Sequence, residues 1–133
     1  MINVHYSYRE GDAKEPTHFS SENATIEQVM SILTEYPWDT EGNLPTEEHA
    51  GGGIFVEVTN HNKQEATFQI VPVGSEHCML FANVVLKKGF LGIFGKQSVS
   101  KDFEELTPEQ AIERIKPFLS ISVPSIYEEL ASI

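Results

Sequence analysis

Three apolar runs rich in β-branched and aromatic residues follow one another through the middle of the chain. They are residues 54–58, 66–73 and 79–86. Short polar connections at residues 60–63 and 74–76 separate them, and connections of this length are typical of β-hairpins. Because a parallel pair needs a crossover of about a dozen residues or more, these runs predict an antiparallel sheet. Pro72 lacks an amide donor, so the second strand should end there or lie at an edge.

Weaker patterns extend the strand prediction on both sides of this block. Apolar and polar residues alternate over residues 2–8, which predicts an N-terminal strand. A less regular strand pattern covers residues 96–103. Residues 39–53 combine acids, Pro45 and three consecutive glycines, a composition that predicts an irregular loop.

Two capping boxes predict where helices begin. Residues 25–28 (TIEQ) open an apolar pattern with helical spacing, and Pro37 ends it. Residues 107–110 (TPEQ) open a second helix, which Pro117 should end or bend. A short final helix is expected over residues 124–131.

This order of elements predicts the α+β class. We expect an antiparallel sheet of about four to five strands with two to three helices packed on one face. The 133 residues, 40% of them hydrophobic, suffice for one core, and residues 1–133 are expected to form a single domain. The N-terminus lacks a signal-peptide pattern, no apolar run could cross a bilayer, and Cys78 is the single cysteine. A cytoplasmic location without membrane binding is therefore expected.

The negative charge of the chain is concentrated in its N-terminal part. Residues 1–57 carry eleven acids and two bases, so they account for −9 of the net charge of −11. Residues 58–101 carry +3, from five lysines against two glutamates, and residues 102–133 carry −5, from seven acids against two bases. Lysines this dispersed form no basic stripe for nucleic acid. The negative electrostatic field of the chain favours a basic protein partner and argues against direct nucleic-acid binding.

No residue pattern predicts catalysis, a metal site or a cofactor. The five histidines do not pair at helical metal-ligand spacing, and His49 beside Glu47 and Glu48 is more typical of a solvated acidic loop. His77 and Cys78 are adjacent in a predicted strand, so their side chains should point to opposite faces. Residues 51–53 (GGG) precede a strand, whereas phosphate-binding loops follow one. We expect a protein that is not an enzyme and has no cofactor.

Acidic residues are concentrated between residues 35 and 48 and are interleaved with Tyr36 and Trp38, and this segment is the predicted partner-binding site. Its residues are Glu35, Tyr36, Trp38, Asp39, Glu41, Glu47 and Glu48. Tyr and Trp are enriched at interface hot spots, which supports a contact role. Two alternatives stay open: the acids serve solubility alone, or Trp38 packs beneath the loop.

The general plan of the chain resembles a family of bacterial proteins. Residues 89–95 (GFLGIFG), followed by the capped helix that starts at Thr107, are similar to immunity proteins of contact-dependent inhibition and other polymorphic toxin systems. The resemblance implies binding and neutralisation of a cognate toxin, commonly a nuclease with a basic substrate cleft. It implies no catalytic residue. Phe90, Leu91, Ile93 and Phe94 are either buried under the sheet or exposed as a contact patch.

Two other functions remain as alternatives. An acidic chain of this size also fits an inhibitor of the DNA-mimic type that acts on another nucleic-acid enzyme. A small ligand-binding domain is the third reading, and its mark would be an apolar pocket with convergent polar groups.

Overall fold

The computed structural model describes residues 1–11, 13, 15–42, 53–74, 76–87, 95 and 97–133. Their strands form one antiparallel sheet of six, in the order β2-β1-β3-β4-β5-β6. The strands are β1 (Ile2–Tyr8), β2 (Thr17–Ser21), β3 (Gly53–Thr59), β4 (Glu65–Pro72), β5 (Cys78–Lys87) and β6 (Gln97–Leu106). The predicted α+β class is confirmed, and β4 ends at Pro72 as expected.

Four α-helices accompany the sheet in the described part of the chain. They are α1 (Ile26–Glu35), α2 (Trp38–Gly42), α3 (Pro108–Ile115) and α4 (Val123–Ala131), with a 3₁₀ helix over Lys116–Ser120. Both predicted capping boxes are formed, with the side chains of Thr25 and Thr107 each accepting from the third helical amide. Beyond Ile115 the α-helical pattern gives way to the 3₁₀ helix that contains Pro117.

Two elements differ from the sequence prediction. Strand β2 was not predicted, and it makes the sheet larger than the expected four to five strands. Among its five residues only Phe19 is a large apolar residue, which stacks on Tyr6 and Tyr8 at centroid distances of 5.2 and 4.9 Å. Helix α2 occupies part of the segment predicted to be an irregular loop, and it brings the helix count to four.

The core lies between one face of the sheet and the helices. On that face the register aligns Val4, Val56 and Phe68 across neighbouring strands, and all three are fully buried. Phe68 stacks on Phe118 at 5.5 Å between ring centroids. The opposite face carries a polar row in the same register, in which Asn3 bonds to Glu57. The helices therefore cover one face, as predicted.

The strand directions define two ends of the sheet. Strands β1, β4 and β6 finish at one end, where the chain turns into α3 and where α2 packs. The turn between β3 and β4 lies at the other end. No helix in the described ranges is both long and apolar enough to span a membrane.

Candidate functional site

Exposed carboxylates gather at the end of the sheet where β1, β4 and β6 finish, and we call this region the acidic end. Its exposed acids are Glu10, Glu15, Glu35, Asp39, Glu76, Glu104, Glu105 and Glu109. They come from strand ends, turns and helix termini along most of the chain. Lys63 and Lys87 lie at the opposite end, in the β3–β4 turn and at the end of β5. The molecule therefore carries its charge asymmetrically in space.

The acidic end does not coincide with the acidic N-terminal part of the sequence. Glu22 and Glu27 lie at the opposite end of the sheet, and Glu57 lies on its polar face. Glu76 and Glu109, from later in the chain, take part instead. The topology of the sheet, rather than position in the sequence, determines which acids lie at this end.

A buried ion pair holds α2 against the sheet. The guanidinium of Arg9 contacts the Glu41 carboxylate at 3.4 Å, and the two side chains are only 3% and 0% exposed. The backbone amide of Arg9 also donates to the second carboxylate oxygen of Glu41, at 3.2 Å. Glu41 thus faces the interior of the protein. The prediction that Glu41 is a contact residue is therefore wrong, because its carboxylate is buried against Arg9.

Two aromatic side chains attach the segment between α1 and α2. The Tyr36 hydroxyl donates to the Ser7 carbonyl oxygen at 2.7 Å, and the Trp38 indole N–H donates to the Leu33 carbonyl oxygen at 2.9 Å. Their ring centroids lie 4.6 Å apart. Burial, followed by the nearby charge of Glu41, raises the pKa of Tyr36 well above its ordinary value. Tyr36 is therefore a neutral structural donor.

The Tyr36 hydrogen bond is expected to contribute measurably to stability. Tyr36→Phe should lower the free energy of unfolding by about 1 kcal/mol, because the Ser7 carbonyl loses its side-chain donor. Urea denaturation followed by circular dichroism measures the change. Tyr6→Phe is the matched control, since the Tyr6 hydroxyl makes no hydrogen bond within the described residues. Equal stability losses in the two variants would contradict the assignment.

The backbone around Gly42 gives α2 a third attachment. The Gly74 amide donates to the Gly42 carbonyl oxygen at 2.9 Å, joining the end of α2 to the β4–β5 turn. A Cβ at Gly42 would overlap the Gly74 carbonyl group. Gly74 itself has a φ of +86°, a conformation that glycine adopts without strain. Close approach of the two chain segments requires glycine at position 42.

The predicted contact residues therefore divide into three groups. Glu35 and Asp39 are exposed at the acidic end, and Trp38 is half-buried. Tyr36 and Glu41 are buried and hold the local structure. Residues 47 and 48 (Glu47 and Glu48) lie outside the described residues, as do residues 90–94 with Phe90, Leu91, Ile93 and Phe94.

A cleft opens between α2 and the start of α3. Segments 36–40 and 107–109 form its walls together with Glu76, and its volume is about 540 Å³. Glu76 and Glu109 were not predicted as site residues. The second capping box places Glu109 in the first turn of a helix, but it gives no sign of a role in a site. No sequence pattern predicts that this helix lies beside α2.

Cys78 is a core residue in this fold. Its side chain is fully buried, and burial raises the pKa of the thiol to about 11, with a smaller contribution from Glu109. The neighbouring His77 is exposed. Within the described ranges, no three His, Cys, Asp or Glu side chains group closely enough to hold a metal ion.

Comparisons of the chain with protein-family models, curated proteins and solved structures gave no match.

Proposed function

We propose that this chain is an immunity protein that binds a cognate toxin, a basic nuclease domain, and neutralises it by covering the surface that binds substrate. The observation that carries the proposal is the acidic end, where eight exposed carboxylates from separate segments lie at the same end of the sheet. A nuclease collects Lys and Arg around its phosphate-binding cleft. An inhibitor with the opposite field competes for the same surface.

The charge asymmetry supports fast recognition of such a partner. Complementary fields raise association rate constants toward about 10⁸ M⁻¹s⁻¹ at low salt, compared with roughly 10⁵–10⁶ M⁻¹s⁻¹ without steering. For an inhibitor of a lethal enzyme, rapid capture is as useful as tight binding. Salt at physiological strength shortens the range of this attraction to about 8 Å, so the rate should depend strongly on ionic strength.

The attachment of α2 supports specific binding after encounter. Arg9, Tyr36 and Gly42 fix this short helix through an ion pair, a hydrogen bond and close backbone packing. Asp39 and the half-buried Trp38 are therefore presented on a rigid support. A preorganised contact loses little conformational entropy on binding.

The test is inhibition of the product of the neighbouring gene, which the proposal predicts to contain the toxin domain. Purified protein should form a complex with that domain and abolish its nuclease activity at equimolar concentration. Stopped-flow association should slow by about tenfold or more for Glu76→Lys combined with Glu109→Lys, with a weaker dependence on salt.

A matched pair controls for total charge. Glu128→Lys combined with Glu129→Lys makes the same charge change on α4, outside the cleft. An equal slowing in both double variants would contradict a contact at the acidic end. Inhibition of unrelated nucleases with similar strength would instead favour the inhibitor of the DNA-mimic type, because a cognate immunity protein discriminates among toxins.

A further inference from the structure

The cleft between α2 and α3 combines apolar walls with carboxylates. Trp38 and Pro108 belong to its lining, and so do Asp39, Glu76 and Glu109, all three of which are exposed. Its volume of about 540 Å³ lies within the roughly 300–1,000 Å³ of typical ligand clefts. A concave site with both aromatic and anionic walls is suited to an organic cation.

The carboxylates of the cleft are available to a ligand. Within the described residues, no Lys or Arg forms an ion pair with Asp39, Glu76 or Glu109. These three carboxylates are not grouped closely enough to hold a metal ion, as is true of every set of three possible ligands in the described residues. Three separated acceptors around one cleft match a cation with several donors pointing in different directions.

The aromatic wall is held in place before any ligand arrives. The Trp38 indole N–H is already used by the Leu33 carbonyl, and the ring packs on Tyr36. The indole cannot turn to donate to a ligand without breaking this bond. The contribution of Trp38 to the cleft lining is therefore its carbon atoms, and guanidinium groups stack on the carbon surface of aromatic rings.

We propose that this cleft receives an arginine side chain of the basic partner. This inference rests on the proposed function for the identity of the partner, and on the cleft alone for its chemistry. A guanidinium is planar and carries five N–H donors, so it can stack on Trp38 while donating to two carboxylates. A lysine ammonium is compact and strongly hydrated, and it gains less from the aromatic wall.

Short peptides test the cleft without the toxin. Acetyl-Gly-Arg-Gly-amide and acetyl-Gly-Lys-Gly-amide have the same charge and are titrated at constant ionic strength. Trp38 is the only tryptophan of the chain, so its fluorescence reports on the cleft. The arginine peptide should bind about three- to fivefold more tightly than the lysine peptide, and the neutral citrulline peptide should not bind measurably.

Charge-neutralising variants locate the binding. Glu76→Gln and Glu109→Gln should each weaken the arginine peptide by roughly twofold or more, whereas Glu128→Gln should leave it unchanged. Equal binding of the arginine and lysine peptides would overturn the proposal, as would an equal effect of Glu128→Gln. Arginine selectivity combined with no toxin inhibition would leave the cleft assignment standing and reject the immunity function. Toxin inhibition without arginine selectivity would support the immunity function and reject the cleft assignment.

Discussion

Glu41→Ala should lower the free energy of unfolding by about 3–5 kcal/mol, although Glu41 lies in one of the most acidic segments of the chain. The variant removes the carboxylate that pairs with the Arg9 guanidinium and accepts from the Arg9 backbone amide, at a site where the Arg9 side chain is only 3% exposed. Breaking a buried pair on one side costs far more than the pair itself contributes. Urea denaturation at neutral pH measures the loss.

Two variants separate this effect from a general change of charge. Asp39→Ala removes the same charge from an exposed position on the same helix, and its stability should stay within about 0.5 kcal/mol of the native protein. Arg9→Met combined with Glu41→Leu replaces both charges by apolar groups and should recover part of the loss, since the Arg9 backbone amide still loses its acceptor. Similar losses for Glu41→Ala and Asp39→Ala would show that Glu41 is not a buried partner.

The same pair explains why the contact site was only partly predictable. In the sequence, Glu41 cannot be distinguished from Asp39, because both are acids in a polar stretch. Their environments differ because Arg9, 32 residues away from Glu41, folds back beside one of them. Local patterns contain no information about such a pairing.

Elements with strong local signals were predicted well. Thr25 and Thr107 open helices because each capping box satisfies backbone donors within four residues. Strand β2 has no comparable signal, and its place depends on pairing with β1 and on the contact of Phe19 with Tyr6 and Tyr8. The acidic end likewise depends on the topology, since Glu76 and Glu109 meet α2 only in the folded chain.

This distinction bears on function. Acids in a continuous sequence segment would act as a flexible charged loop with a large entropy cost on binding. The described acids at the acidic end instead project from elements joined by the sheet, and α2 is attached at three points. Under the proposed function, such a surface would suit a partner of defined shape, and its selectivity would depend on keeping α2 in position.

Gly42→Ala tests that requirement with a change of one methyl group. Helix propensity alone would make the alanine variant more stable by up to about 1 kcal/mol. The close approach to the Gly74 carbonyl predicts the opposite sign, a loss of about 1–3 kcal/mol, because α2 must move away from the β4–β5 turn. The movement should also change the Trp38 fluorescence and reduce the proposed preference of the cleft for arginine over lysine peptides. Thr34→Ala, at an exposed position of α1 outside the cleft, should change neither the Trp38 fluorescence nor the peptide preference. A Gly42→Ala protein as stable as the native one, with unchanged arginine preference, would show that the position of α2 does not depend on this contact.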